Sequence, residues 1–586
     1  MRNIRLVVSF VLSCLLAPLY TQAEIKWNNP QTQDVPVING QAWPEALKGT
    51  YQRIPESQHG IVPDYVWGNS LHSAGLNIKF YSNSPEITVR YTVTRALAMQ
   101  HMPATGVSGV DLYATDCNGA TSICAGKYNF KDTIEYTYSG LTYKNTHNRG
   151  SEYTLFLPPF NIVSWMEIGV PDGNEFAFIP RIEEKPIVVY GTSIAHGGCA
   201  SRPGMIWTNI VQRNLETPVI NLGFSGSGLL DSSVFVLLST IDAKLFIIDC
   251  MPNMVNDKTA WIVKRMVDGV KILRSKSNAP ILIVEHDGYA GEFTSQQIAD
   301  RYKNSNIECK KAYEALQKEG VKNLSYMTHE EIGMNPDGQV DGTHATDLGM
   351  MDYATAYTKK LREILDMPVG TVRTTIPCKQ RREPDNYEWN KRHAEILTLN
   401  KQRAPEIVLI GNSITHFWGG EPVFHRQNGK ETFAKLFKNK VVTNMGFGYD
   451  MIENALWRVY HGELDGYKAK KVFMMIGTNN VNRCPDKEIV DGLVFLIKEV
   501  QQRQPEAVIH VVSIYARRND EEHLRKLNGE IRAALTEGPL LKYVDVFDTL
   551  LKSDGKIDES FFIGDGLHPN EKGYAKVAEG MKAFVK

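Results

Sequence analysis

The 586-residue chain has no excess of either charge: 65 Lys and Arg stand against 66 Asp and Glu. That balance argues against the basic face of a nucleic-acid binder and the polybasic surface of a membrane-adsorbed protein. No low-complexity tract interrupts it. Beyond residue 23 no apolar run approaches the roughly 20 residues that span a bilayer, so no stable membrane insertion is expected. Cysteines number only eight, and none falls at a zinc-ligand spacing. What is present is ordinary for a globular protein: 42% hydrophobic and 22% charged residues. The length predicts three to four domains at roughly 150 residues each.

Arg2 and Arg5 precede an apolar run from Leu6 to Leu19, followed by Thr21-Gln22-Ala23. A charged start, a short apolar stretch and a small-residue site predict a cleaved export signal over 1–23. The run is too short for a membrane anchor. Val11-Leu12-Ser13-Cys14 offers a second reading, a lipoprotein box with Cys14 lipidated, but the apolar run continues past Cys14. The expected location is the periplasm or outside the cell. Of the seven remaining cysteines, Cys117 and Cys124 are close in a polar stretch and are the expected disulfide of an oxidising compartment. Cys199, Cys250, Cys309, Cys378 and Cys484 are scattered and read as buried free thiols.

Residues 24–184 carry short alternating runs, such as Ile87–Val93, Thr133–Tyr138 and Glu152–Leu157, punctuated by Gly, Asn, Asp and Pro. That texture predicts a β-sandwich. From Lys185 it changes. Ile187–Tyr190, Leu245–Ile248 and Ile281–Val284 are continuous apolar runs, as expected of buried parallel strands, with helical stretches between them. An α/β domain over 185–367 follows. Residues 368–384, rich in Pro, Thr and Arg, read as a linker. A second α/β domain occupies 385–586, with strands at 407–410, 472–476, 508–512 and 543–547.

Each α/β domain repeats four elements in the same order. The first is a strand, a glycine and a serine: Gly191-Thr192-Ser193 and Gly411-Asn412-Ser413. A strand-to-helix turn leaves such a hydroxyl exposed at the carboxyl edge of a sheet. The second is Asn221-Leu222-Gly223 and Asn444-Met445-Gly446, where a glycine lets a backbone N–H approach a substrate oxygen. The third is an asparagine after the next strand, Asn253 and Asn479, a suitable oxyanion donor. The fourth is Asp341-Gly342-Thr343-His344 and Asp565-Gly566-Leu567-His568. An Asp three before a His on a loop can hold the ring tautomer that frees the distal nitrogen as base. Each element alone reads as a plain turn or a surface residue. The ordered set, twice, supplies a nucleophile, a base, its orienting group and oxyanion donors. His196 and His416, one helical turn past the serines, read as packing residues, and Trp418 and Trp457 as structural rather than sugar-stacking.

These four blocks resemble those of the SGNH hydrolases, or GDSL esterases. The second domain, through Gly411–Trp418, Asn444–Phe447, Asn454–Arg458 and Gly477–Asn480, is similar to the branch related to platelet-activating-factor acetylhydrolase. The first, with Gly109-Val110-Asp111-Leu112-Tyr113 in the preceding sandwich, is similar to a branch that carries such a sandwich ahead of the hydrolase. Asp111 and Tyr113 read as holding a sandwich loop. The resemblance implies two three-layer α/β/α domains with five-stranded parallel sheets behind a jelly-roll-like sandwich. The family's Asp before the nucleophile is Thr192 here in one domain and Asn412 in the other. Asp249-x-x-x-Asn253 replaces the usual Gly-x-Asn-Asp.

The resemblance implies Ser193, His344 and Asp341 as one catalytic set, with Gly223, Asn253 and the Ser193 N–H as oxyanion donors. Ser413, His568 and Asp565, with Gly446 and Asn479, form the other. No metal or cofactor is called for. The expected activity is an exported carbohydrate O-acetylesterase acting on acetylated glycans. A lipid or small-acyl esterase, and one active domain beside a glycan-binding module, are the alternatives. Oligomeric state is not legible in the sequence.

Overall fold

The computed structural model describes residues 24–143, 147–181, 184–382 and 387–586. The export signal and Cys14 lie outside them. Among the described residues no helix is long and apolar enough to cross a membrane.

The N-terminal unit is a two-sheet antiparallel sandwich. One sheet runs in the order Ile25–Asn28, Val163–Pro171, Glu86–Val93, Ile134–Ser139, Gly126–Asn129. The other runs Phe176–Phe178, Asn77–Ser82, Ser151–Phe156, Asp111–Thr115, Thr121–Ile123. Alternation drives this packing: Ile134, Tyr136 and Tyr138 turn inward while their neighbours face out. The inward residues meet Ile78, Phe80, Leu112 and Leu155 of the facing sheet in one core.

The Cys117–Cys124 disulfide expected from spacing does not form; both are free thiols. Asp116 closes the intervening turn by accepting the Asn118 and Ala120 N–H groups at 2.8 and 2.9 Å. Cys117 stays on that turn, whereas Cys124 joins the sandwich core. Of the other five, Cys378 is half-buried and the rest are buried.

The two parallel-sheet units repeat one architecture. In the first, β1 (Ile187–Gly191), β2 (Val219–Gly223), β3 (Leu245–Asp249), β4 (Ile281–Val284) and β5 (Leu324–Met327) form a parallel sheet in the order 2-1-3-4-5. In the second, β6 (Ile407–Gly411), β7 (Val442–Gly446), β8 (Lys471–Met475), β9 (Val508–Val512) and β10 (Leu541–Val544) follow the order 7-6-8-9-10. Every residue of β1 and β6 is buried, because helices cover both faces. The order reverses direction at β1 and at β6, so the crevice at their carboxyl ends is where a ligand is received.

Two segments tie the units together. Residues 54–67 leave the sandwich and insert Ile54, Val62, Val66 and Trp67 into the core of the first parallel-sheet unit. Residues 379–382, expected in a linker, are buried. There Arg381 bridges Glu152 of the sandwich (3.1 Å) and Glu216 of the first parallel-sheet unit (2.5 Å). Gln380 donates to the Gly448 carbonyl of the second at 2.8 Å. Arg381 and Gln380 together therefore dock the connection across all three units.

Candidate active sites

Both serines stand immediately beyond β1 and β6, at the start of the one-turn helices α1 (Ser193–His196) and α2 (Ser413–His416). Thr192 Oγ1 and Asn412 Oδ1 cap these turns by accepting the N–H of Ile194 at 3.3 Å and of Ile414 at 2.9 Å. A short oxygen-bearing side chain is what the position needs, so Thr and Asn serve where the family places Asp.

The Asp-x-x-His loops close onto these serines. Ser193 Oγ lies 2.9 Å from His344 Nε2, and His344 Nδ1 lies 2.7 Å from Asp341 Oδ2. In the second site the distances are 2.8 Å from Ser413 to His568 and 2.7 Å from His568 to Asp565. Each carboxylate also accepts its histidine's own backbone N–H at 2.9 Å, which fixes the loop. Gly342 and Gly566 supply the left-handed backbone, φ 84° and 67°, that the tight loop requires. Partial burial works to raise both carboxyls, but hydrogen bonds from His344 and His568 outweigh it and hold them below the usual range. An ionised carboxylate on Nδ1 keeps the proton there and leaves Nε2 as an acceptor facing the serine. Burial lowers His568 against the pull of Asp565, which keeps its ring neutral near pH 7.

Gly223 and Gly446 do something different from what the sequence suggests. Their N–H groups already donate to the preceding Asn221 Oδ1 and Asn444 Oδ1 at 2.9 and 2.8 Å. The same carboxamides donate back to the Ala195 and Thr415 carbonyls at 2.6 and 2.7 Å. A Cβ on either glycine would meet the His196 or His416 backbone nitrogen at 2.3 or 2.2 Å. Asn-x-Gly is therefore a fastener between the second strand and the serine turn, and glycine is required for close approach of the two backbones. These N–H groups are not oxyanion donors.

The next loop provides the free donor. Phe224 O accepts the Ser227 N–H at 2.9 Å, and Phe447 O accepts the Asp450 N–H at 3.3 Å. The third residue of each turn has positive φ: Gly226 at 68° and Tyr449 at 64°. That is a type II turn, whose third N–H points outward. Neither the Gly226 nor the Tyr449 N–H has a hydrogen-bond partner among the described residues. Asn253 and Asn479 lie against these turns: Asn253 Oδ1 accepts the Gly228 N–H at 3.1 Å, and Asn479 Nδ2 donates to the Asp450 carbonyl at 2.9 Å. Both carboxamides keep an N–H to spare.

Each turn is anchored from behind by a histidine and an arginine. The fully buried His196 and His416 accept the N–H of Ser225 and Gly448 through Nδ1, at 3.4 and 3.2 Å. Arg53 donates to the carbonyls of Asn221 (3.1 Å), Gly223 (2.7 Å), His72 (3.0 Å) and Asn69 (2.6 Å). Arg392 donates in the same way to Asn444 (2.9 Å) and Gly446 (2.8 Å). Burial lowers Arg53 to about 9 and Arg392 to about 10, so both stay charged at neutral pH. Nothing local in the sequence marks either arginine, since each is one of several that precede its own parallel sheet.

Trp418 and Trp457 are buried, so neither is a stacking platform. Asp111 and Tyr113 bolt the sandwich to the first site's loop: Asp111 accepts the Gly204 N–H at 2.7 Å, and Arg202 reaches Asp111 and Tyr113 at 2.8 and 2.7 Å.

Two Ser–His–Asp chains at the switch points of two parallel sheets define a pair of serine-hydrolase-type centres. Residues 184–362 and 409–576 each match the GDSL-like lipase/acylhydrolase family, and residues 25–176 match the N-terminus of SGNH-hydrolase-type esterases. The chain belongs to the GDSL-like lipase/acylhydrolase family. It is 28% identical over 201 residues to human platelet-activating factor acetylhydrolase IB subunit alpha1, covering 34% of this chain and 82% of that protein. The bovine alpha2 subunit is 27% identical over 202 residues, 34% of this chain and 83% of its own. A GDSL-like lipase structure from Bacteroides ovatus aligns with TM-score 0.54 at 29% identity, covering 58% of this chain and 98% of its own.

Proposed function

We propose that the chain is an exported esterase with two working serine centres, and that it removes O-acetyl groups from complex carbohydrates. The observation that carries the reading is the pair of hydrogen-bonded Ser–His–Asp sets, each beside an outward N–H and a free carboxamide. In the first centre Ser193 attacks the ester carbonyl while His344 takes its proton at Nε2. His344 then returns that proton to the leaving alcohol, and Asp341 holds the ring. The N–H groups of Ser193 and Gly226 and the Asn253 carboxamide receive the oxyanion. Water, activated by the same histidine, releases the acyl group. In the second centre Ser413, His568, Asp565, the Tyr449 N–H and Asn479 take these roles.

A small acyl group is supported by access: Ser193 and Ser413 are only 6% and 8% exposed. The relatives' name, acetylhydrolase, agrees. A sugar is supported by Tyr449, a residue 41% exposed beside the second oxyanion position, whose side chain is of a kind suited to stacking. The relatives' other word, platelet-activating factor, favours a second reading, a small-acyl lipid ester.

Acetate release from acetylated polysaccharides, and hydrolysis of nitrophenyl esters of rising chain length, would be measured for the full chain, Ser193→Ala, Ser413→Ala and the double variant. Each single variant should lose a different part of the glycan activity and the double variant all of it. Acetate release by the double variant would refute both triads. A chain that cleaves short esters but releases no acetate from any glycan would refute the carbohydrate reading.

A further inference from the structure

The first centre has neighbours that the second lacks. His101 sits on a sandwich turn closed by a Met99–Met102 bridge. Cys199 lies six residues after the nucleophile. One donor atom each from His101, Cys199 and His344 lies within 4.8 Å of the other two. The two imidazole rings are 5.9 Å apart, and Cys199 Sγ faces the His101 carbonyl at 3.8 Å. Cys199 holds a left-handed backbone, φ 68°, at a place where the second centre has Gly419. Among the described residues no comparable donor set includes His568.

We propose that His101, Cys199 and His344 form an inhibitory site for a thiophilic divalent transition ion, of which Zn²⁺ is the first probe. A thiolate and two imidazoles with one position left for water suit such an ion. Tetrahedral donors at zinc bond lengths stand about 3.5 Å apart, so the set must draw in by about 1 Å. The exposed His101, on its turn, is the member placed to move. Asp341 holds His344 Nδ1, so His344 binds through Nε2, the nitrogen that faces Ser193. The Cys199 S–H bond breaks, its proton passes to buffer, and the sulfur pair forms the metal bond without electron transfer. The metal takes the lone pair that the serine proton needs, and the first centre stops. Binding stands on the donor geometry alone; inhibition also rests on the proposed role of His344.

The test uses the full chain. Co²⁺ should produce a thiolate-to-cobalt charge-transfer band that Cys199→Ala and Cys199→Gly abolish; the glycine variant suits the backbone and mirrors Gly419. Hydrolysis of nitrophenyl acetate would then be followed in buffered Zn²⁺. Ser413→Ala, which keeps only the first centre, should be inhibited at a Zn²⁺ concentration at least tenfold lower than Ser193→Ala. Adding Cys199→Gly or His101→Ala to Ser413→Ala should raise that concentration at least tenfold and leave metal-free activity in place. No sulfur band, equal inhibition of both centres, or inhibition unmoved by Cys199→Gly would overturn the proposal. An inactive metal-free Ser413→Ala would instead refute the esterase reading of the first centre, and the cobalt band alone would then decide the site.

Discussion

Arg53 is the residue whose replacement most sharply tests how these centres are held. Its guanidinium grips the Asn221 and Gly223 carbonyls at 3.1 and 2.7 Å, at the strand end from which the oxyanion turn springs. Lysine keeps the charge but loses the planar fork, so it cannot reproduce both contacts together with those to Asn69 and His72. A hydrogen bond to a charged group contributes about 1.5–3 kcal/mol. Loss of one at the strand end, with part of it felt in the barrier, should lower kcat of the first centre about 10- to 100-fold. The assay is steady-state hydrolysis of nitrophenyl acetate by Arg53→Lys in a Ser413→Ala background, with KM, kcat and melting temperature measured together. Arg53→Lys should lower kcat with KM nearly unchanged, and Arg392→Lys in the same background should leave the first centre alone. In a Ser193→Ala background the pattern should reverse. A lowered melting temperature with kcat intact would refute the reasoning, leaving Arg53 a packing residue. A fall in both centres from either arginine would refute the claim that each clamps its own turn.

Three further outcomes follow from the same geometry. Asn253→Ala and Asn479→Ala should each cut kcat of their own centre by about 10²–10³-fold, as loss of one preorganised oxyanion donor does, in single-centre backgrounds. Burial holds His568 below its ordinary pKa of 6.5, and it acts only when neutral. The acid limb of kcat/KM for the second centre should therefore lie below pH 6.5, and a limb above it would contradict the burial argument. Burial alone would raise Glu152, but Arg381, Lys79 and Lys379 hold it down to about 2. Its contribution is thus complete above the ordinary carboxylate value of 4.5 and is lost as pH falls toward 2. Arg381→Ala takes the guanidinium from the buried Glu152 and the half-buried Glu216 and should cost about 3–5 kcal/mol, read by chemical unfolding at pH 7, with a smaller cost at pH 3.

The parallel strands were legible because burial on both faces leaves a continuous apolar run, as in Ile187–Tyr190. The Asp-x-x-His loops were legible because the contact is local, three residues apart. What failed was long-range or depended on which way a group faces. In sequence Gly223 signals a close approach that suits an N–H facing substrate; the close approach is to the serine turn, and only the fold shows that. Tyr449 carries a left-handed φ without the glycine that would have announced it. The Arg-rich connection at 379–382 reads as solvated until Glu152 and Glu216, from two other units, are seen to meet it. Spacing brought Cys117 and Cys124 together on paper, but it cannot say that one stays on a turn while the other faces a core.

The two centres reach one arrangement by different routes, and the difference bears on how the first unit works. In the second, Arg392 comes from the helix α3 (Trp389–Arg403) that precedes its own sheet. In the first, Arg53 comes from the N-terminal unit, 168 residues before the strand it holds. His72 from the same unit lies 3.3 Å from His196, and the Pro159 carbonyl lies 2.7 Å from the His196 ring. The oxyanion turn of the first centre is thus buttressed by a unit that shares no strand with its sheet, while the second is buttressed by its immediate sequence neighbour. It follows that residues 185–367 expressed alone would keep Ser193, His344 and Asp341 but lose the group that aims Gly226. The N-terminal unit is on this reasoning a structural half of the first centre.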